Sequence, residues 1–165
     1  TLAWLGERLG DVKIVRTMPN TPALVGEGIT GVCKNNLVTE DEFAYVLKLL
    51  SSFGLAEAIP ESLMDAVVSV SGSSPAYVFL FIEAMADAAV ADGMPRAQAY
   101  KFAAQAVLGS AKMVLETGKH PAELKDMVCS PAGTTIEAVR VLEEKGFRGA
   151  VMDAMKACTA KAKGI

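Results

Sequence analysis

The segment that follows Pro75 restricts the fold more than any other part of the chain. Its helical pattern runs to about Asp92, where Gly93 would end it, and its first turns are apolar on every face. A helix that is apolar all round must be buried all round. One small layer of helices cannot surround it, so we expect a second copy of the chain to cover it. The alternative is the central core helix of a monomer.

Residues 1–60 have the pattern of an α/β layer, which follows the end of a helix near Leu9. The capping box of Thr39 and Glu42 predicts the start of a helix. Two prolines within Met18-Pro19-Asn20-Thr21-Pro22 exclude a helix there and predict a loop. The strands are expected at 12–16, at 28–33 and, as a short edge strand, at 55–59, with the helix at 39–53.

The pattern changes at Pro60, because no strand pattern follows it. The segment 71–75 predicts a break between the first two helices. The fold class is therefore mainly α: an all-helical domain over 61–165, preceded over 1–60 by the last strands and helix of an α/β domain. The helices are expected at 61–70, 75–92, 95–117, 121–128 and 136–145, and from about 148.

Composition narrows the function classes. The net charge of −3, without a block of Lys or Arg, argues against nucleic acid as a partner. The chain has one histidine and three widely spaced cysteines, which argues against a metal site and predicts a reducing cytoplasmic location. The longest strongly apolar run, Pro75 to Ile82, is too short to span a bilayer, so no membrane partner is expected.

A turn of small residues, Ser130-Pro131-Ala132-Gly133-Thr134-Thr135, opens directly onto an amphipathic run. The first N–H groups of a helix have no partner within it and lie at the positive end of its dipole. Such a turn suits a small carboxylate. The alternative is that the Ser and Thr residues only cap the helix.

The chain contains three short motifs, at Met18 to Pro22, at Ser71 to Tyr77 and at Leu124 to Thr135. In this order and at these distances they resemble the pyrroline-5-carboxylate reductases. That family reduces a cyclic imine that carries a carboxylate to L-proline, with NADPH or NADH as the hydride donor. The resemblance implies the C-terminal part of such an enzyme, because no G-x-G-x-x-G motif follows a strand and the main cofactor motif of the Rossmann-type domain is absent.

The resemblance also implies roles for individual residues. Thr135 is the expected catalytic residue, with its hydroxyl as the partner of the ring nitrogen; a hydroxyl bonded to its own backbone is the alternative. The family usually has glycine where Ala132 stands, which costs little unless that position needs a positive φ. The substrate carboxylate is expected on the N–H groups of Gly133 and Thr134, with help from the Ser130 hydroxyl. The expected substrate-binding residues are Ser130, Gly133, Thr134, Thr135 and Glu61, and the expected cofactor-binding residues are Pro19, Asn20 and Met127.

The resemblance implies 1-pyrroline-5-carboxylate and L-proline as ligands and a homodimer or higher homo-oligomer with interlocked helical domains. We expect the isolated chain to be inactive, since its nucleotide domain is incomplete. One alternative is a helical dimerisation module without catalysis. Another is the helical half of a β-hydroxyacid dehydrogenase, although those enzymes generally rely on a lysine in their long helix and none lies between Pro75 and Asp92.

Overall fold

A computed structural model describes residues 1–164 of the chain. The elements follow the predicted order, a three-stranded sheet with two helices in the first part and helices thereafter. They are α1 (Leu2–Leu9), β1 (Val15–Met18), β2 (Gly28–Lys34), α2 (Glu40–Leu50), β3 (Gly54–Ala58), α3 (Met64–Val67), α4 (Ser74–Ala91), α5 (Arg96–Thr117), α6 (Pro121–Val128), α7 (Thr134–Glu144) and α8 (Phe147–Ala162). The predicted fold class is confirmed.

The sheet has the order β1-β2-β3, with β1 antiparallel and β3 parallel to β2. Val32 of β2 is fully buried and packs with Val38 and Phe43 of the adjoining loop and α2. Apolar side chains on one face of α2 meet one face of the sheet, as the predicted α/β layer requires. The first strand begins three residues later than its predicted start at residue 12.

Gly54 makes the junction between α2 and β3 possible. Its φ is 144°, and a Cβ atom there would lie 2.0 Å from the carbonyl oxygen of Gly28. Gly28 and Gly54 are paired in the parallel ladder, so a side chain at Gly54 would separate the two strands at their first contact.

The prediction that the segment around Pro22 contains no helix is wrong. Met18 ends β1, and Thr21–Val25 forms a short 3-10 helix with Pro22 at its second position. Proline is tolerated in the first turn of a helix, because its missing N–H would have no partner there. The rule that excludes proline applies to helix interiors.

The predicted break at residues 71–75 is present but shorter, because only Ser73 lies outside the helical elements. A 3-10 turn, α3 and a π turn at Val68–Gly72 come before Ser73, and α4 follows it, so that helical structure covers Glu61–Ala91 except for this one residue. By length and composition this stretch could cross a membrane, with a mean hydropathy of 1.4 over its most apolar window. The shortness of the run Pro75 to Ile82 therefore no longer argues against a membrane span. The helix that a globular protein buries in its core meets the same criterion.

The chain divides into two compact units, one of Thr1–Ala76 with the residues from Ala154 onward, the other of Tyr77–Asp153. In the second unit α4 buries only Ala86, and α5 only Ala99 and Ala103. The apolar helix is therefore not the buried core of a monomer. Its large side chains are exposed in the single chain, with Leu80 68% exposed.

Candidate functional site

The small-residue turn before α7 has a defined geometry. The Gly133 N–H donates to the carbonyl oxygen of Ser130 at 3.1 Å, which closes a four-residue turn. Pro131 is its second residue and Ala132, with φ 55°, its third, as in a type II turn. Among residues 1–164, Ala132 is the only non-glycine with a positive φ. Position 132 therefore has the positive φ at which alanine is costly.

Gly133 and Ser130 are in close contact. A Cβ atom on Gly133 would lie 2.3 Å from the Ser130 Oγ and 3.1 Å from the Ser130 carbonyl oxygen. The serine side chain therefore folds back across the glycine, and only glycine leaves room for it. The hydroxyl is held at the mouth of the turn, next to the first residues of α7.

The start of α7 leaves several donors unused. Gly133 is the N-cap residue and supplies no side-chain cap. Within the described part of the chain, the N–H groups of Thr134 and Thr135 and the hydroxyls of Ser130, Thr134 and Thr135 have no hydrogen-bond partner. Of the two predicted anion-binding amides, Gly133 and Thr134, only that of Thr134 is free. The Thr135 hydroxyl does not bond to its own backbone, so the capping alternative does not describe it.

Glu61 lies in the first unit and already has partners. Its Oε1 accepts hydrogen bonds from the Leu2 N–H at 2.7 Å and from the Arg16 guanidinium at 2.8 Å. Burial by itself would raise the pKa of Glu61, but these two hydrogen bonds and the charge of Arg16 outweigh it and hold the pKa below its ordinary value. Glu61 is therefore a carboxylate that joins α1, β1 and the start of the helical part.

Pro19 and Asn20 border a cavity of about 700 Å³ in the first unit. Both ends of the Asn20 carboxamide are engaged, since Nδ2 donates to the Ser71 carbonyl and Oδ1 accepts from the Ile29 N–H. The cavity is lined by Pro19, Asn20, Thr21, Ala23, Leu24, Phe53 and Gly72.

The predicted site residues thus fall into two groups. The turn and α7 bring together Ser130, Gly133, Thr134 and Thr135 in the second unit, whereas Pro19, Asn20 and Glu61 belong to the first. Met127 of α6 is also in the second unit and is 63% exposed, so it is not a core residue of this chain.

Two features of these groups were missed by the sequence reasoning. The pairing of Arg16 with Glu61 joins residues far apart in sequence, so no local spacing could reveal it. The positive φ of Ala132 could have been inferred from its place directly after a proline in a turn, where glycine is the usual residue.

Comparison with known proteins gives consistent results. The family model for pyrroline-5-carboxylate reductase dimerisation matches residues 61–165. The pyrroline-5-carboxylate reductase of Escherichia coli K12 is 68% identical over all of this chain and 62% of its own length, and that of Synechocystis is 52% identical over 89% and 55%. The chain therefore spans about three fifths of the length of these curated relatives.

Solved structures agree with the sequence relatives. A Plasmodium falciparum pyrroline carboxylate reductase, solved with NADP bound, superposes with a TM-score of 0.91 at 38% identity, over 99% of this chain and 66% of its own. The pyrroline-5-carboxylate reductase of Coxiella burnetii gives 0.95 at 36% identity, over 99% and 62%. From the match over residues 61–165 together with these relatives, the chain belongs to the pyrroline-5-carboxylate reductase family.

Proposed function

We propose that the chain is the C-terminal part of an NADPH- or NADH-dependent reductase that converts 1-pyrroline-5-carboxylate to L-proline. Family membership supports this reaction over that of a β-hydroxyacid dehydrogenase. The observation that carries the proposal is the start of α7, where two amides and three hydroxyls have no partners in the described residues. Unused donors at the positive end of a helix favour an anionic ligand.

The substrate carboxylate would bind the free amides at the start of α7. The Thr134 N–H is available, and the Thr135 N–H takes the part that the sequence assigned to the Gly133 N–H, which the turn already uses. The Ser130 hydroxyl, which occupies the space left by the missing Gly133 side chain, adds a donor. These contacts would orient the ring.

Thr135 would form a hydrogen bond to the ring nitrogen through its hydroxyl. A nicotinamide cofactor supplies the hydride to the carbon of the C=N bond, and the nitrogen retains the proton that makes the imine electrophilic. The chain then needs to hold the protonated imine, not to remove a proton. Glu61 remains a proposed substrate contact, through the carboxylate oxygen that Arg16 and Leu2 leave free.

The cofactor would meet this chain at two places. The cavity beside Pro19 and Asn20 has room for the nicotinamide end, and its lining offers a polar group from Thr21 among apolar walls. Met127, exposed on α6, is the other proposed cofactor contact. The chain has a G-x-G-x-x-G sequence at residues 26–31, but it leads into strand β2 and does not open a helix, so it lacks the context that holds a pyrophosphate. We therefore propose that the isolated chain is inactive.

The helical part would associate with a second copy of the chain. The family model describes dimerisation, and the large apolar side chains of α4 and α5 are exposed in the single chain. We propose a homodimer or a higher homo-oligomer, without nucleic acid or membrane as a partner. Cys33, Cys129 and Cys158 form no disulfide bond in the described residues, which fits a reducing cytoplasm.

Titration with L-proline tests the substrate site directly. Amide NMR of the chain should show the largest shifts at Thr134 and Thr135, and Thr135→Val should weaken binding. Shifts confined to residues remote from Gly133 and Thr135 would contradict the proposal. A second measurement follows NADPH oxidation with 1-pyrroline-5-carboxylate, where robust turnover by these residues alone would show that no further nucleotide domain is needed.

A further inference from the structure

The Asn20 carboxamide joins two backbone groups that the fold leaves without their regular partners. Its Oδ1 accepts from the Ile29 N–H at 2.9 Å, and its Nδ2 donates to the Ser71 carbonyl oxygen at 3.2 Å. The three residues are well separated in sequence and all belong to the first unit. An asparagine with both ends engaged in this way fixes the distance between two backbone segments.

The first of these bonds extends the sheet. β1 ends at Met18, which pairs with Gly31, and continuing this antiparallel register places Asn20 opposite Ile29. In a regular ladder the backbone carbonyl of the opposite residue would accept the Ile29 N–H. Here the side-chain oxygen of Asn20 accepts it instead, which lets the backbone turn away into the 3-10 helix at Thr21–Val25.

The second bond, from Asn20 Nδ2, satisfies the carbonyl group of Ser71. In an α-helix the carbonyl of Ser71 would accept from the N–H of the residue four positions later, which is Pro75 and has no N–H. The helix forms a π turn at Val68–Gly72 at this point, and the Ser73 N–H bonds back to the Val68 carbonyl. The Asn20 Nδ2 replaces the missing N–H and donates a hydrogen bond to the Ser71 carbonyl oxygen.

We propose that Asn20 is a positioning residue, which couples the π turn to the loop that borders the cavity, and that it does not itself bind the cofactor. The same cavity is lined by Pro19, Asn20 and Thr21 on one side and by Gly72 of the π turn on the other. Asn20 therefore holds two walls of the cavity at a fixed separation. The expected effect on the nicotinamide cofactor rests on the proposed function, whereas the coupling of the two segments does not.

Amide hydrogen exchange on the 165-residue chain separates the two bonds. Asn20→Ala removes both, so exchange at Ile29 and at Ser73 should each become at least tenfold faster. Asn20→Asp retains an oxygen for Ile29 but removes the donor to Ser71, so only Ser73 should exchange faster. The control is Asn36→Asp, which makes the same change at an exposed asparagine without a hydrogen bond in residues 1–164.

A second substitution tests the role of proline. Pro75→Ala restores an N–H four residues after Ser71, so in the Asn20→Asp background it should return exchange at Ser73 to within about threefold of the wild-type rate. Unchanged exchange at Ile29 and Ser73 in Asn20→Ala would overturn the coupling. So would a failure of Pro75→Ala to reverse the effect of Asn20→Asp.

Titration with NADPH distinguishes positioning from direct binding, read from the Thr21 and Ala23 amides. If Asn20 acts by positioning, Asn20→Asp weakens binding severalfold and the added Pro75→Ala restores it. If Asn20 is a direct ligand, the weakening persists in the double variant, and the positioning role is wrong. If the wild-type chain shows no NADPH response at this cavity, the proposed cofactor contact fails there, while the exchange rates still decide the coupling.

Discussion

At the scale of single residues, Ala132 is the position where the sequence and the backbone disagree. Its φ of 55° is one that L-residues other than glycine adopt at a cost of roughly 1–2 kcal/mol. The turn nevertheless keeps this conformation, because the Gly133 N–H bond to Ser130 and the following helix hold it. Strain of this kind persists where the surrounding structure determines the backbone, and functional sites are common among such places.

Ala132→Gly should stabilise the chain. Glycine removes the strain but gains freedom in the unfolded state, so we expect the free energy of unfolding to rise by about 0.5–1 kcal/mol. Chemical denaturation measures this difference. The matched control is Ala138→Gly inside α7, which should lower the free energy of unfolding by about 1 kcal/mol. Destabilisation by both changes would show that Ala132 is not strained.

Thr135→Val should impair the reaction without affecting the fold. Valine keeps the branched shape and removes a hydroxyl that has no partner in residues 1–164, so the free energy of unfolding should change by less than about 0.5 kcal/mol. In an enzyme completed with its nucleotide-binding domain, kcat/KM should fall on the order of ten- to a hundredfold. Thr135→Ser should retain most of the activity. Equal activity of the Val and wild-type enzymes would contradict the assigned role.

At the scale of elements, the start of α2 carries the clearest electrostatic signature. The capping box is formed as predicted, with Thr39 Oγ1 accepting from the Glu42 N–H and Glu42 accepting from the Thr39 N–H. The ion pair with Lys13, with these cap bonds, lowers the pKa of Glu42 to about 2. A carboxylate with a lowered pKa stabilises the fold only while it is ionised.

Acid should therefore weaken the chain through Glu42. Its stabilisation is fully present above about pH 4.5, the ordinary value, and is lost as the pH falls towards 2. Thermal unfolding between these limits should show a smaller loss of Tm for Glu42→Gln than for the wild type. Asp41→Asn removes a neighbouring charge without a hydrogen bond in the described residues and is the control. Identical pH profiles of Glu42→Gln and wild type would contradict this assignment.

The sequence predicted helix ends correctly where nearby residues determine them. The capping box fixed the start of α2, and Gly118 ends α5 in the left-handed conformation that glycine favours. The break predicted at 71–75 was too long, because only Ser73 lies outside the helical elements there and Asn20 donates to the Ser71 carbonyl. A rule about Pro75 and its neighbours contains no information on a residue 51 positions away.

In the candidate site, too, the residues of one local segment were predictable, whereas contacts between distant residues were not. One continuous segment supplies Ser130, Gly133, Thr134 and Thr135, and the resemblance rested on that segment. The partners of Glu61 and Asn20 come from elsewhere in the fold, so the sequence did not show that both side chains are already engaged. The role of Glu61 at the substrate remains a prediction, whereas for Asn20 we propose positioning in place of the predicted cofactor contact.

At the scale of the whole molecule, the exposed apolar side chains of the second unit call for a partner. Phe79 and Leu80 of α4 are 62% and 68% exposed, and Phe102 and Leu115 of α5 are 62% and 72% exposed. Monomeric proteins rarely leave such large apolar side chains together in water. A second copy of the chain, which the family model for dimerisation favours, would cover them.

Leu80→Lys should therefore weaken self-association. Burying one leucine contributes about 1.5–3 kcal/mol, so the dissociation constant should rise on the order of ten- to a hundredfold. Sedimentation equilibrium over a range of concentrations measures it. Leu49→Lys on α2 replaces a leucine that is 57% exposed in the first unit and should leave the constant unchanged. A wild-type chain that is monomeric at micromolar concentration would rule out the proposed dimer, whereas equal weakening by both variants would move the interface away from α4.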